Sequence, residues 1–145
     1  MASHFVKWLK DIRKNDISIV GGKAANLGEI FANFPVPDGF CITVSAFEEF
    51  LAEEGIKDRL MSILKGIETD NLEKTDWISK EIRRLVIKSK IPSNIQKEIA
   101  QNYKKLKGFV AVRSSAVAED LQEASFAGQQ ATFRNVKGEK DLLKY

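Results

Sequence analysis

Two stretches of the 145-residue chain carry residue types that make a poor core and good ligand contacts. The first is Val20-Gly21-Gly22-Lys23-Ala24-Ala25-Asn26-Leu27. Its glycines free the backbone to approach a ligand, a helix is expected at once, and Lys23 stands in the first turn. A helix start offers unpaired N–H groups and the positive end of the peptide dipoles, so phosphate is the natural guest. The stretch is not a Walker loop, because that motif needs Gly where Ile17 sits and Ser or Thr where Ala24 sits. The dinucleotide fingerprint is absent as well. A glycine turn followed by a solvated lysine accounts for the same residues.

The second stretch runs from Val112-Arg113-Ser114-Ser115-Ala116 through Glu119-Asp120 to Ser125-Phe126-Ala127-Gly128-Gln129-Gln130-Ala131-Thr132. An arginine directly after a buried strand is held by a rigid element, which suits a guanidinium aimed at phosphate. Small residues would let the loop fold close over a ligand. Gly128 can adopt backbone angles closed to other residues and turn its amide toward an anion. Thr132 offers a hydroxyl in the following strand. Against this stands a plainer account, in which Arg113 pairs with Glu119 or Asp120 and the loop only joins two strands.

The elements that would position these residues follow from periodicity. Phe5 to Leu9 reads as a short strand, and Gly39 to Thr43 as a buried one. Leu27, Ile30, Phe31 and Phe34 repeat at helical spacing, with Pro35 and Pro37 ending the helix. Ser45 and Glu48 fit a capping box ahead of a helix bearing Phe47, Phe50 and Leu51. Three more helices are expected on Ile56 to Leu64 with Gly66 as cap, on Ile78 to Val86, and on Ile95 to Leu106 after Pro92-Ser93. Phe109 to Val112 reads as the middle strand of a sheet, and Gln130 to Val136 as another strand. This order predicts an α+β or mixed α/β fold, with α+β preferred, rather than a doubly wound sheet of repeated βαβ units.

Composition narrows the classes. Lys and Arg exceed Asp and Glu by only 23 to 20, an excess too small and too evenly spread to mark a nucleic-acid or anionic-membrane surface. No apolar run approaches the about 20 residues of a membrane span. Met1 to Lys10 lacks the pattern of a secretion signal, so a cytoplasmic protein is expected. The single cysteine, Cys41, excludes an internal disulfide and reads as a small buried hydrophobe. His4, the lone histidine, reads as a terminal surface residue. Asp38, Glu48, Glu49, Glu53 and Glu54 read as caps and solvated faces, and Trp8 and Trp77 as core or half-core aromatics.

Taken together and in order, three blocks carry a resemblance. They are Val20 to Glu29 (VGGKAANLGE), Val36-Pro37-Asp38-Gly39-Phe40 with Thr43, and Val110 to Ala116 (VAVRSSA) followed by Glu119-Asp120 and Ser125 to Gln130 (SFAGQQ). The chain resembles the N-terminal nucleotide-binding domain of the phosphoenolpyruvate synthases, weakest from about Lys57 to Lys107. The same domain occurs in pyruvate phosphate dikinase and rifampicin phosphotransferase. The dikinase pattern has Met and Pro around the glycine where this chain has Ser125-Phe126-Ala127.

The resemblance implies an ATP-grasp-like N-terminal lobe, a mixed sheet with packed helices, that is incomplete on its own. It implies one domain over residues 1–145 with a helical insert at about 45–107. Lys23 and Arg113 would contact the phosphates of ATP, with Gly128 and Thr132 in the loop and strand that cover them. The full synthase turns ATP, pyruvate and water into phosphoenolpyruvate, AMP and phosphate, carrying the phosphoryl group on a histidine of a separate domain. Mg²⁺ would share the phosphate charge, with its ligands outside this stretch, and no catalytic residue is expected within it. The expectation is therefore an N-terminal fragment, inactive in phosphotransfer alone and weak in ATP affinity. Two other readings are a stand-alone interaction module and a general anion or nucleotide binder.

Overall fold

The computed structural model describes residues 5–67, 70–117 and 131–145. The chain divides into two compact units, one of Met1–Ala46 with Asn94–Tyr145 and one of Phe47–Ser93. The helix Ser93–Tyr103 falls in the first unit from Asn94 onward.

In the first unit, β1 (Val6–Trp8) pairs antiparallel with β2 (Phe40–Ile42), with Lys7 opposite Cys41. Between them lie two single 3-10 turns (Leu9–Asp11 and Lys14–Asp16), the short α1 (Ile17–Val20) and α2 (Gly22–Phe31). The core gathers Leu9, Ile12, Val20, Ala24 and Ala25, flanked by Ile17, Phe31, Val36 and Cys41. Ile12 is fully buried, which contributes roughly 1.5–3 kcal/mol of apolar transfer.

α2 does not bury the face its periodicity predicts. Leu27, Ile30 and Phe34 are exposed, Phe34 by 63%, while Gly22, Ala24, Ala25 and Gly28 point inward. The reason is close approach. A Cβ on Gly28 would lie 2.6 Å from Ile12 Cβ and 2.7 Å from its carbonyl oxygen, so only the small-residue face can meet the preceding turns. Glu29 on the same helix accepts the Lys14 amide at 3.0 Å and steadies the second turn.

α6 (Ser93–Tyr103) closes the outer side of β1. Glu98 Oε1 accepts the amides of Phe5 and Val6 at 3.0 and 2.8 Å. The Trp8 indole donates to Asn102 Oδ1 at 2.9 Å, and the buried Asn102 amide donates to the Glu98 carbonyl. Trp8 is thus the half-buried aromatic expected of it, with its polar edge satisfied.

β3 (Val110–Arg113) and β4 (Thr132–Val136) form a second antiparallel pair, and α7 (Glu139–Leu142) follows. Tyr103 of α6 accepts the Gly138 amide at 2.7 Å just ahead of α7. The α+β class holds, but among the described residues the strands make two separate two-stranded sheets rather than one mixed sheet. β3 is accordingly not a sheet centre. Its residues alternate between half-buried and exposed, and Phe109 beside it is exposed. Its apolar run reflects one covered face, not two.

The second unit holds most of α3 (Val44–Ala52), a 3-10 turn (Glu53–Gly55), α4 (Ile56–Leu64) and α5 (Leu72–Lys88). Phe50, Ile56 and Ile78 are its buried apolar residues. α3 starts at Val44, so Ser45 lies within its first turn rather than at its cap. Asn71, which no pattern singled out, caps α5 by accepting the Lys74 amide at 3.0 Å. Trp77 is 60% exposed and is not a core residue, since α5 turns Ile78 inward instead. No helix of the described residues is long and apolar enough to cross a membrane.

A candidate phosphate site where two loops meet

Gly21 occupies the cap position of α2 with φ 79° and ψ 165°. A Cβ there would lie 2.6 Å from Ser115 Oγ and 2.9 Å from the Ala116 nitrogen, so both backbone angle and space demand glycine. Lacking a side chain, Gly21 cannot cap its own helix. Ser115 does so from 91 residues away, its Oγ accepting the Ala24 amide at 3.3 Å and donating to the Val20 carbonyl at 2.8 Å. The Gly22 amide donates to the Ala116 carbonyl at 3.2 Å. The two chemistry-bearing segments are therefore bonded to each other.

This contact changes the role given to the helix start. The amides of Gly22 and Ala24, two of the first three in α2, are bound to the Ser115–Ala116 loop and are not open to an anion. What α2 presents outward at this end is the exposed side chain of Lys23. Ser115 is the residue that sequence reasoning left without a role. The signal was present in a glycine cap followed by alanines, which leaves a helix needing an oxygen from elsewhere.

Arg113 ends β3, two residues before Ser115, so its Cα is within about 7 Å of the Ser115 Cα. It pairs in register with Thr132 on β4. Residues directly opposite in an antiparallel ladder project from the same face, so Arg113 and Thr132 lie side by side, both exposed. Arg113 makes no ion pair with a described residue. Glu119, Asp120 and Gly128 lie outside the described residues, as does His4.

Electrostatics separate structural groups from the site. Asp16 is held below its ordinary 3.8 chiefly by Lys7, whose Nζ stands 2.7 Å from Oδ1, and by the Arg13 amide at 2.8 Å from Oδ2. That pair closes the turn ahead of α1. Burial pushes the Cys41 thiol up to about 11, and its sulfur lies 3.4 Å from the Val20 carbonyl oxygen, so it stays a protonated packing group. Among the described residues no three His, Cys, Asp or Glu side chains gather as metal ligands.

A helix capped from a distant loop, with a lysine at its start and an arginine leaving the adjoining strand, is an arrangement that can hold an anion. Residues 17–145 match the family described as pyruvate phosphate dikinase, AMP/ATP-binding domain, and the chain belongs to that family. It is 47% identical to a probable phosphoenolpyruvate synthase of Archaeoglobus fulgidus, over 96% of this chain and 19% of that protein. It is 41% identical to a probable phosphoenolpyruvate synthase of Methanocaldococcus jannaschii, over 97% of this chain and 12% of that protein. A phosphoenolpyruvate synthase of Helicobacter pylori is 38% identical over 97% of this chain and 19% of its own length. The chain thus spans about a fifth or less of these relatives.

Proposed function

We propose that this chain is the ATP-binding part of a phosphoenolpyruvate synthase-like phosphotransferase with an ATP-grasp-like architecture, and that Lys23, Arg113 and Thr132 hold the nucleotide phosphates. Gly128 joins them on its sequence context alone. The observation that carries the reading is the Ser115 link, which ties the helix bearing Lys23 to the strand that ends in Arg113. Family membership supports the nucleotide as the anion.

In this reading the chain's residues act by position and charge. Lys23 supplies a compact point charge on a flexible stem, and Arg113 a planar fork fixed by its strand. Thr132 can donate its hydroxyl to a phosphate oxygen that Arg113 also contacts. Together they orient the polyphosphate and neutralise its charge, which is most of what a protein contributes to phosphoryl transfer. Mg²⁺ supplies further charge neutralisation when bound. Its ligands are assigned to other parts of the enzyme, as the family resemblance implies. Pyruvate and the phosphohistidine carrier are likewise assigned to other parts of a cytoplasmic enzyme. The 145 residues alone are expected to bind nucleotide without turnover.

Titration of the isotopically labelled chain with Mg-ATP tests the reading by NMR. The amides of Lys23, Arg113 and Gly128 are expected to shift together and saturably. If all three stay in place at millimolar nucleotide, the phosphate assignment is wrong. Equal competition by tripolyphosphate and ATP would assign a general anion site in place of an adenine-nucleotide one.

A further inference from the structure

β4 carries a second arginine whose place follows from the register. Val112 faces Phe133 and Arg113 faces Thr132, but Val110 faces Val136, so one extra residue is absorbed in β4 between Phe133 and Val136. Asn135 has φ 58°, the left-handed backbone that opens such a bulge. Ordinary alternation therefore holds from Thr132 to Arg134, and both project from one face. The opposite face carries Val110, Val112, Phe133 and Val136, with Val136 only 4% exposed and Phe133 stacked on Tyr145 at 4.2 Å between centroids. The Arg113 face carries Ala111, Arg113, Thr132 and Arg134, all exposed.

That face holds two arginines and a threonine. Neither strand contains an acidic residue, and neither arginine makes an ion pair with a described residue. Arg134 is the diagonal neighbour of Arg113, about 7–8 Å away, with Thr132 directly beside Arg113. Like charges set so close repel, and an oxyanion between them removes the repulsion while engaging both forks. That separation is between the strand positions, and two forks of arginine's reach can engage neighbouring phosphoryl groups of one ligand.

We infer that Arg134 is a further anion-contacting residue, which with Arg113 and Thr132 makes the exposed face of the β3–β4 pair a polyphosphate cradle. The inference rests on the phosphate reading given above and deepens it, since it assigns the site to a nucleoside di- or triphosphate, or inorganic polyphosphate, rather than a monophosphate.

Calorimetric titration of the chain with AMP, ADP, ATP and tripolyphosphate tests it, comparing Arg134→Gln, Arg134→Lys and Arg113→Gln. Arg84→Gln, on α5, removes the same charge elsewhere and serves as control. Arg134→Gln is expected to weaken ATP and tripolyphosphate about five- to tenfold, to leave AMP within about twofold, and to be partly rescued by Arg134→Lys. ATP and tripolyphosphate affected alike mark phosphate contact, while an effect on ATP alone, or equal losses for AMP and ATP, overturns the cradle. If Arg134→Gln matches the control while Arg113→Gln weakens every phosphate ligand, this inference fails and the phosphate reading stands. If no ligand binds, or Arg113→Gln also matches the control, both fail. Unchanged circular dichroism of each variant keeps a folding defect from counting as a binding one.

Discussion

Ser115 shows how one hydroxyl can serve two segments. It replaces the cap that Gly21 cannot supply and anchors the loop that follows Arg113. Ser115→Ala removes both bonds and is expected to cost about 1–2 kcal/mol. Gly21→Ala adds a Cβ against the Ala116 backbone at positive φ and is expected to cost about 2 kcal/mol or more. Urea midpoints rank the two, and a milder Gly21→Ala would contradict the close approach. Loss of the Arg113 fork is expected to weaken ATP about 10- to 100-fold, the worth of charge-assisted hydrogen bonds. Thr132→Val should cost only about two- to tenfold, as a neutral bond does. Dissociation constants from calorimetry check both.

At the scale of elements, α2 is set by what it can approach. Alanine is a better helix former than glycine by about 1 kcal/mol, yet Gly28→Ala is expected to destabilise by about 1–3 kcal/mol, because its Cβ would enter Ile12. A stabilised variant in thermal unfolding would show that the helix stands further from the turn than described. The turn before α1 has its own signature in acid. Asp16 has a depressed folded-state value, so its contribution is present above its ordinary 3.8 and is lost as pH falls through the lower folded value. Asp16→Asn is therefore expected to be less stable than the parent near neutral pH, with the gap closing below 3.8. A gap constant across that range would remove the Lys7 pairing from the account.

At the scale of the molecule, binding and folding are linked. A ligand that occupies only the native state at ten times its dissociation constant adds about 1.4 kcal/mol of stability, an upward shift of a few degrees in the unfolding midpoint. Mg-ATP should produce that shift and Mg²⁺ alone should not, as read by calorimetry or fluorescence. Because the chain divides into two compact units, the first should carry the gain. Hydrogen exchange slowed in Phe47–Ser93 while unchanged around Lys23 and Arg113 would place the ligand in the wrong unit.

Local pattern and sequence similarity decided a good deal. The strands at Val6–Trp8, Phe40–Ile42 and Thr132–Val136 and the helical stretches were legible because their periodicity is set by nearby residues. The segments around Lys23 and Arg113 stood out because a lysine and an arginine there have no use as core. Only tertiary structure decided which face of α2 goes inward, that Ser115 caps a helix far back in the chain, and that Arg113 stands beside Thr132 and diagonal to Arg134. Trp77 and Phe109 misled for the same reason, since an aromatic at an apolar position says nothing of what lies opposite it. Periodicity is written in neighbours along the chain. Close approach, distant caps and strand register depend on contacts about 20 to 100 residues apart, and no local pattern encodes them.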